Sequence, residues 1–232
     1  WNLFSNIVEM PKVEITPITE SKEVSFSDKI DETTNLTNTV IDDTYYNMGA
    51  TNGDGYDSNT QAIVLNSTTS AEQMDAIQDA EVGDATVRED YSGIIFELAK
   101  GSGAVTVDAK SIGTHVLMVQ IGNNAPTKVT KSERGIVDVP YEVTEPTYVY
   151  LYARTADGSA ARLNRAAAGE NSVLLYGYKV TIEKPDFILG DVNGDGLVNV
   201  TDIVATVNFI MEKPSDGFNK AAADLSGDGE VN

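Results

Sequence analysis

Between residues 12 and 184 the sequence alternates, and that alternation limits the chain to few folds. Apolar residues recur at every second position in Val24-Ser25-Phe26, Ile63-Val64-Leu65, Ile94 to Leu98, Val105-Thr106-Val107, Val116 to Ile121, Tyr148 to Tyr152 and Val173 to Ile182. A period of two places successive side chains on opposite faces of an extended backbone, so one face is buried. The runs are rich in Val, Ile, Thr and Tyr, which pack well on a pleated surface. Turn-forming clusters separate them at Asn52 to Gly55, Gly101-Ser102-Gly103, Gly122-Asn123-Asn124 and Asp157-Gly158-Ser159. About eight to ten short strands at this spacing predict a mainly β fold, an antiparallel β-sandwich of jelly-roll type.

Two stretches break the pattern. Ser70 is followed by Gln73 in SAEQMDAI, which predicts a short helix with a capping box. Ser159 to Glu170 is alanine-rich and reads equally as a helical turn or a loop. Lys184-Pro185-Asp186 marks a boundary, because proline cannot continue a sheet ladder.

Charge and composition remove several function classes. The 36 acidic and 16 basic residues give a net charge of -20. Nucleic acid and anionic membranes need a positive surface, so neither is expected as a partner, whereas hard cations suit such a chain. With no cysteine, disulfides, thiol catalysis and thiolate metal sites are excluded. No apolar run approaches the roughly 18 residues that span a bilayer. The chain opens on Trp1 without a leader, which predicts a fragment of a longer protein.

After the boundary the texture changes, and the chemistry concentrates there. From Asp191 the chain reads DVNGDGLVNVTD. Counting Asp191 as position 1, Asn193, Asp195, Leu197, Asn199 and Asp202 fall at positions 3, 5, 7, 9 and 12, the spacing of an EF-hand-like calcium loop. Asp191, Asn193 and Asp195 supply side-chain oxygens, and Leu197 supplies its carbonyl, leaving its side chain free to pack. Asn199 ligates directly or through water, and Asp202 adds a carboxylate from the next helix. Gly196 permits the sharp turn. Ile203, Val207, Ile210 and Met211 then mark one face of that helix. The loop recurs 33 residues later as Asp224, Ser226, Asp228, Glu230 (through its carbonyl) and Asn232, with its twelfth position beyond the last residue.

This duplicated loop resembles the type I dockerin family over residues 191–232. Dockerins end each loop in Asp, as Asp202 does, and the run Ala222-Ala223-Asp224-Leu225 fits the family too. The resemblance implies Ca2+ as the bound ion and docking to a cohesin-like protein, or to another domain of the same chain. It also implies that Val200 and Thr201, at loop positions 10 and 11, help select the partner. Residues 186–232 carry nine acidic and two basic side chains, and a segment this short cannot bury enough surface to offset converging carboxylates. Calcium is therefore expected to couple to its folding. At the other end, WNLFSNIVEMP resembles the close of a BspA-type leucine-rich repeat array.

Other candidates weigh less. His115 is the sole histidine, at a strand start, and reads as structural; no G-x-S-x-G elbow accompanies it. Glu89, Asp90 and Glu97 are acids among many. Asn52 to Asp57 reads as an ordinary turn. The stripes Tyr148-Tyr150-Tyr152 and Tyr176-Tyr178 read as packing, while Tyr45, Tyr46 and Tyr56, near turn residues, are expected to be the exposed rings.

The resulting expectation is a linker or repeat end at 1–11, a β-sandwich at 12–184 and a dockerin-like calcium domain at 185–232. The chain is expected to be a non-catalytic secreted or surface protein of a bacterium. Its sandwich serves binding or spacing; the alternative is a carbohydrate-binding module, with polysaccharide as its partner, on a polysaccharide-processing protein.

Overall fold

The computed structural model describes residues 13–49, 53–157, 170–184 and 187–231. The repeat-like opening stretch, Asn52, the alanine-rich stretch up to Gly169, Pro185, Asp186 and Asn232 lie outside the described residues. The chain divides into two compact units, Trp1–Ile182 and Glu183–Asn232.

In the first unit the elements run β1 (Lys22–Ser25), α1 (Phe26–Lys29), β2 (Thr39–Ile41), β3 (Thr44–Asn47), β4 (Gly55–Asp57), β5 (Ala62–Leu65), α2 (Ala71–Gln78), α3 (Ala85–Asp90), β6 (Gly93–Leu98), β7 (Gly101–Ile112), β8 (His115–Ile121), β9 (Thr127–Val129), β10 (Gly135–Val143), β11 (Thr147–Thr155) and β12 (Ser172–Ile182). One sheet has the order β10-β7-β12-β5-β4, with β1 also paired to β12; the other has the order β2-β3-β6-β11-β8-β9. Every strand pair among them is antiparallel. The expected antiparallel sandwich is therefore the observed fold. The described residues hold twelve strands rather than eight to ten, because β2, β4 and β9 have three residues each, too few to display a period.

Between the sheets lies one apolar core that includes Phe26, Tyr46, Phe96, Val107, Leu151, Leu175 and Tyr178. Phe96 and Tyr178 stack across it with ring centroids 4.3 Å apart and planes 3° apart. Such a pair adds about 0.5–1.5 kcal/mol beyond the area it buries. Along β7 buried and half-exposed residues alternate, so that sheet presents its outer face to water; Ile136 on β10 is 66% exposed there. By contrast, all seven residues of β8 are buried. A second apolar cluster explains this: Met74 and Ile77 of α2 and Val87 of α3 pack with Tyr91, Val116, Met118, Tyr150 and Tyr152. Its members alternate along β8 and β11 with those of the first cluster, so these strands are buried on both faces.

The predicted capping box forms as expected. The Ser70 Oγ accepts the Gln73 N–H at 3.1 Å, and the Gln73 Oε1 accepts the Ser70 N–H at 2.9 Å. The short helix α3 lies outside the predicted elements; Asp84 caps it by accepting the Val87 N–H at 3.1 Å. β12 bulges between Leu175 and Gly177. A Cβ on Gly177 would stand 2.3 Å from the Val24 carbonyl oxygen, so only glycine lets β1 approach there.

In the second unit, α4 (Val200–Ile210) and α5 (Lys220–Ala223) are short. Its buried apolar set is Val192, Ala205 and Ala222, with Phe187, Phe218 and Ala223 packed against it. Phe209 and Phe218 stack at 4.5 Å. Gly190 donates its N–H to the Ala222 carbonyl at 2.8 Å, and Asn219 donates to Val192 at the same distance, joining the two halves of the unit.

Candidate metal centre

The first loop coils around its own acids. The Asp191 Oδ1 accepts the N–H groups of Gly194 at 2.9 Å and Asp195 at 3.1 Å, and its Oδ2 accepts that of Gly196 at 2.8 Å. This fan needs two residues with positive φ, supplied by Gly194 (φ 73) and Gly196 (φ 86). The Asn193 Oδ1 accepts from Asp195 N–H and the Asp195 Oδ1 from Leu197 N–H, both at 2.9 Å. The Asn193 Nδ2 donates to the Asp195 Oδ2 at 3.1 Å.

Asp202 closes the ring from α4. Its Oδ1 accepts the Val192 N–H at 2.9 Å and the Asn193 N–H at 3.3 Å; its Oδ2 accepts the Asn199 N–H at 2.9 Å. These bonds favour the charged form, the one from Asn199 most, and hold the Asp202 carboxyl below its ordinary range. Both Asp191 and Asp202 are buried. Side chains at loop positions 1, 3, 5 and 12 thus all accept N–H groups of the loop's own backbone.

The second loop repeats the same bonds. The Asp224 Oδ1 accepts from Gly227 at 2.6 Å and Asp228 at 3.2 Å, its Oδ2 accepts from Gly229 at 2.7 Å, and the Asp228 Oδ1 accepts from Glu230 at 2.9 Å. Gly227 and Gly229 have φ of 71° and 88°, matching Gly194 and Gly196. Ser226 donates its hydroxyl to the Asp224 Oδ1 at 3.2 Å. Partial burial pushes the Asp224 carboxyl up, but the bonds from Gly229, Gly227, Ser226 and Asp228 outweigh it and lower it overall. Among the described residues nothing in the second loop plays the part of Asp202, and Asn232 lies outside them.

Two residues do other than the spacing implies. The Asn199 Oδ1 caps α4, accepting the Thr201 N–H and hydroxyl at 2.8 Å each. The Leu197 side chain, free to pack in principle, is 66% exposed. The donor set nonetheless fits a hard divalent ion: carboxylates from Asp191, Asp195 and Asp202, amide oxygens from Asn193 and Asn199, and the Leu197 carbonyl. Among the described residues no three His, Cys, Asp or Glu side chains gather into a metal cluster by themselves.

The apolar stripe of α4 forms but faces solvent. Ile203 is 63% exposed, and Val200, Val204, Val207, Ile210 and Met211 are exposed with it. The helix packs through Ala205, whose small side chain allows close approach, while Asp202 is drawn into the loop.

In the sandwich two expectations are overturned. Tyr45 and Tyr46, expected as exposed rings, are fully buried. β3 lies between β2 and β6, so Tyr45 joins the cluster beneath α2 and α3 while Tyr46 enters the main core. Burial pushes the Tyr45 phenol up to about 12. Tyr56 is half-buried against the main core. Tyr150, Tyr152 and Tyr178 are buried packing residues. His115 is buried too, with Nε2 2.9 Å from the Asn66 carbonyl, and desolvation lowers its pKa. Asp54, in the turn near Tyr56, accepts from Asn66 and Ser67 N–H and from the Ser92 hydroxyl.

Residues 189–232 match the family model of the dockerin type I domain. No curated protein matches the chain. Among solved structures it is similar to a family two carbohydrate esterase from Cellvibrio japonicus, at 11% identity and a TM-score of 0.38, over 73% of this chain and 36% of that one. The chain thus spans little more than a third of the esterase's length. It is also similar to a CBM22-1 xylan-binding domain from Paenibacillus barcinonensis, at 13% identity and a TM-score of 0.26, over 41% of this chain and 67% of that one. An acetyl xylan esterase from Butyrivibrio proteoclasticus follows at 15% identity and 0.26, over 42% and 26%.

Proposed function

We propose that this chain is a non-catalytic adaptor of the bacterial exterior, whose carboxy-terminal unit folds around calcium and docks a protein partner through α4. The dockerin type I match over residues 189–232 supports a cohesin-like module as that partner, with another domain of the same chain as the other candidate. The single observation carrying the reading is the exposed apolar face of Val200, Ile203, Val204, Val207, Ile210 and Met211, on the helix whose first turn supplies Asp202 to the loop. An apolar face this continuous, left in water, marks an interaction surface.

The loop residues orient that face. Asp202 bonds back to Val192 and Asn193, so the start of α4 is tied to the start of the loop. Asp191 holds three successive N–H groups, fixing the turn between them. When bound, calcium supplies the positive charge that lets these carboxylates converge. The non-catalytic assignment is supported by His115, which is buried and spends its Nε2 on a backbone carbonyl.

The test is calorimetry of the chain against a type I cohesin, with calcium and with EDTA. Binding in calcium, abolished by EDTA and weakened by Ile203→Asp with Val207→Asp, is the expected result; removing central apolar anchors from an interface typically costs about 2 kcal/mol or more. Equal binding by the doubly substituted chain overturns the assignment of α4 as the docking face.

A further inference from the structure

One end of the sandwich carries an open cavity of about 420 Å³. It is bounded by the last residue of α2, the turn after β8, the end of β10, the β10–β11 turn and the start of β11. Its frame is bonded in place. The Gln78 Nε2 donates to the Gly122 carbonyl at 2.6 Å, the Gly122 N–H to the Tyr148 carbonyl at 2.8 Å, and the Gln120 Nε2 to the Asn124 carbonyl at 3.1 Å. The Thr147 hydroxyl likewise holds the Glu145 carbonyl at 2.9 Å. Backbone and helix are thus arranged before anything binds, which lowers the ordering cost of recognition.

Inside this frame the polar side-chain groups are uncommitted. The Gln78 Oε1, the side-chain amides of Asn123 and Asn124, the carboxylates of Glu142 and Glu145 and the Tyr148 hydroxyl make no hydrogen bond to the described protein. Tyr148 is half-buried, its ring edge-on to Tyr150 at 6.4 Å, so it is fixed yet still offers surface to the cavity. Among the described residues no Lys, Arg or His lines the cavity.

We infer that this cavity binds a short stretch of neutral glycan. Its volume falls in the range of about 300–1,000 Å³ typical of small-molecule sites. A sugar hydroxyl both donates and accepts; carboxylates and amide oxygens take the donated protons, and amide N–H groups and the tyrosine hydroxyl give theirs. The C–H face of a sugar ring matches the apolar face of Tyr148. Glu142 and Glu145, with no cationic side chain among the described lining residues, repel phosphate, sulfate and uronate groups. Asn123, Asn124, Glu142 and Glu145 on the cavity rim are exposed, unlike the buried tyrosines of β3. The inference is independent of cohesin docking: either fails without the other.

The experiment is an amide NMR titration of the full chain in calcium with xylotetraose and cellotetraose, and with trigalacturonate as the anionic comparator. At least one neutral tetrasaccharide is expected to shift the signals of residues 122–124 and 144–148, with trigalacturonate silent. The double substitution Asn123→Ala with Asn124→Ala, at exposed turn positions that leave the core intact, is expected to weaken binding at least tenfold, or about 1.4 kcal/mol. Tyr148→Ala is expected to do the same, its folding checked by the unchanged signals of β7 and β12. Absence of shifts at millimolar sugar, shifts confined to other residues, equal binding by the Asn123/Asn124 variant, or equally tight trigalacturonate each overturns the inference.

Discussion

The sandwich unit buries Phe26, Phe96, Leu151 and Tyr178 among many others in an apolar core between two sheets, whereas the apolar cluster of the carboxy-terminal unit has only Val192, Ala205 and Ala222 buried among the described residues. The first keeps its acids outside and its aromatics inside. In the second, Asp191 and Asp202 are buried while the aliphatic side chains of Ile203 and Val207, with Met211, face water. One is held by apolar area. The other is held by carboxylates that collect backbone N–H groups, and it has little else to keep like charges together. Size drives the difference, since a unit this short leaves too little interior for a hydrophobic core to carry it.

Experiments that break one half and spare the other sharpen this contrast. The largest effect is expected from Phe96→Ala. It deletes the ring stacked on Tyr178 and costs the sandwich about 3–5 kcal/mol, read by urea denaturation, while calcium titration of the tail stays unchanged. Chelation comes next. Calcium at about 100 times its dissociation constant adds roughly 2.7 kcal/mol to the tail, so EDTA collapses the amide signals of residues 187–231 and leaves those of β7 and β12 in place. Tail signals that ignore EDTA would refute calcium-coupled folding. Removing a helix cap gives a finer comparison. Ser70→Ala costs the sandwich about 1 kcal/mol; Asn199→Ala costs the tail a similar amount by removing its cap, and is expected also to weaken calcium affinity if that side chain ligates as proposed, which a calcium titration of the variant reads.

The smallest effect is one of pH. Burial lowers the His115 pKa from its ordinary 6.5, so the folded sandwich favours the neutral ring. Its contribution is fully present above pH 6.5 and is lost as pH falls through the folded-state value. Scanning calorimetry from neutral to mildly acidic pH is expected to show the sandwich transition falling, and His115→Gln to flatten that dependence.

What the sequence disclosed follows from how local each determinant is. The loop from Asp191 to Asp202 was legible because its bonds join residues three to five apart at their core, and Ser70 with Gln73 announced α2 for the same reason. The tyrosines of β3 were not legible. Their burial depends on β6 alongside and on the helices above, partners tens of residues away, whereas their neighbours in sequence are turn formers. The helix α3 left a faint mark: Asp84 as a cap, then Val87 and Tyr91 four apart, both in the second cluster. The outward stripe of α4 shows the limit of periodicity, which gives a helix its apolar face without saying whether that face meets the protein or the solvent.

Gly190 reaches across to Ala222, and Asn219 back to Val192. These two rungs tie the half of the unit that carries each Asp/Gly loop to the other half. If both loops take an ion, ordering one also holds the segment that carries the other, and a calcium titration of the tail is expected to rise more steeply than a single independent site allows.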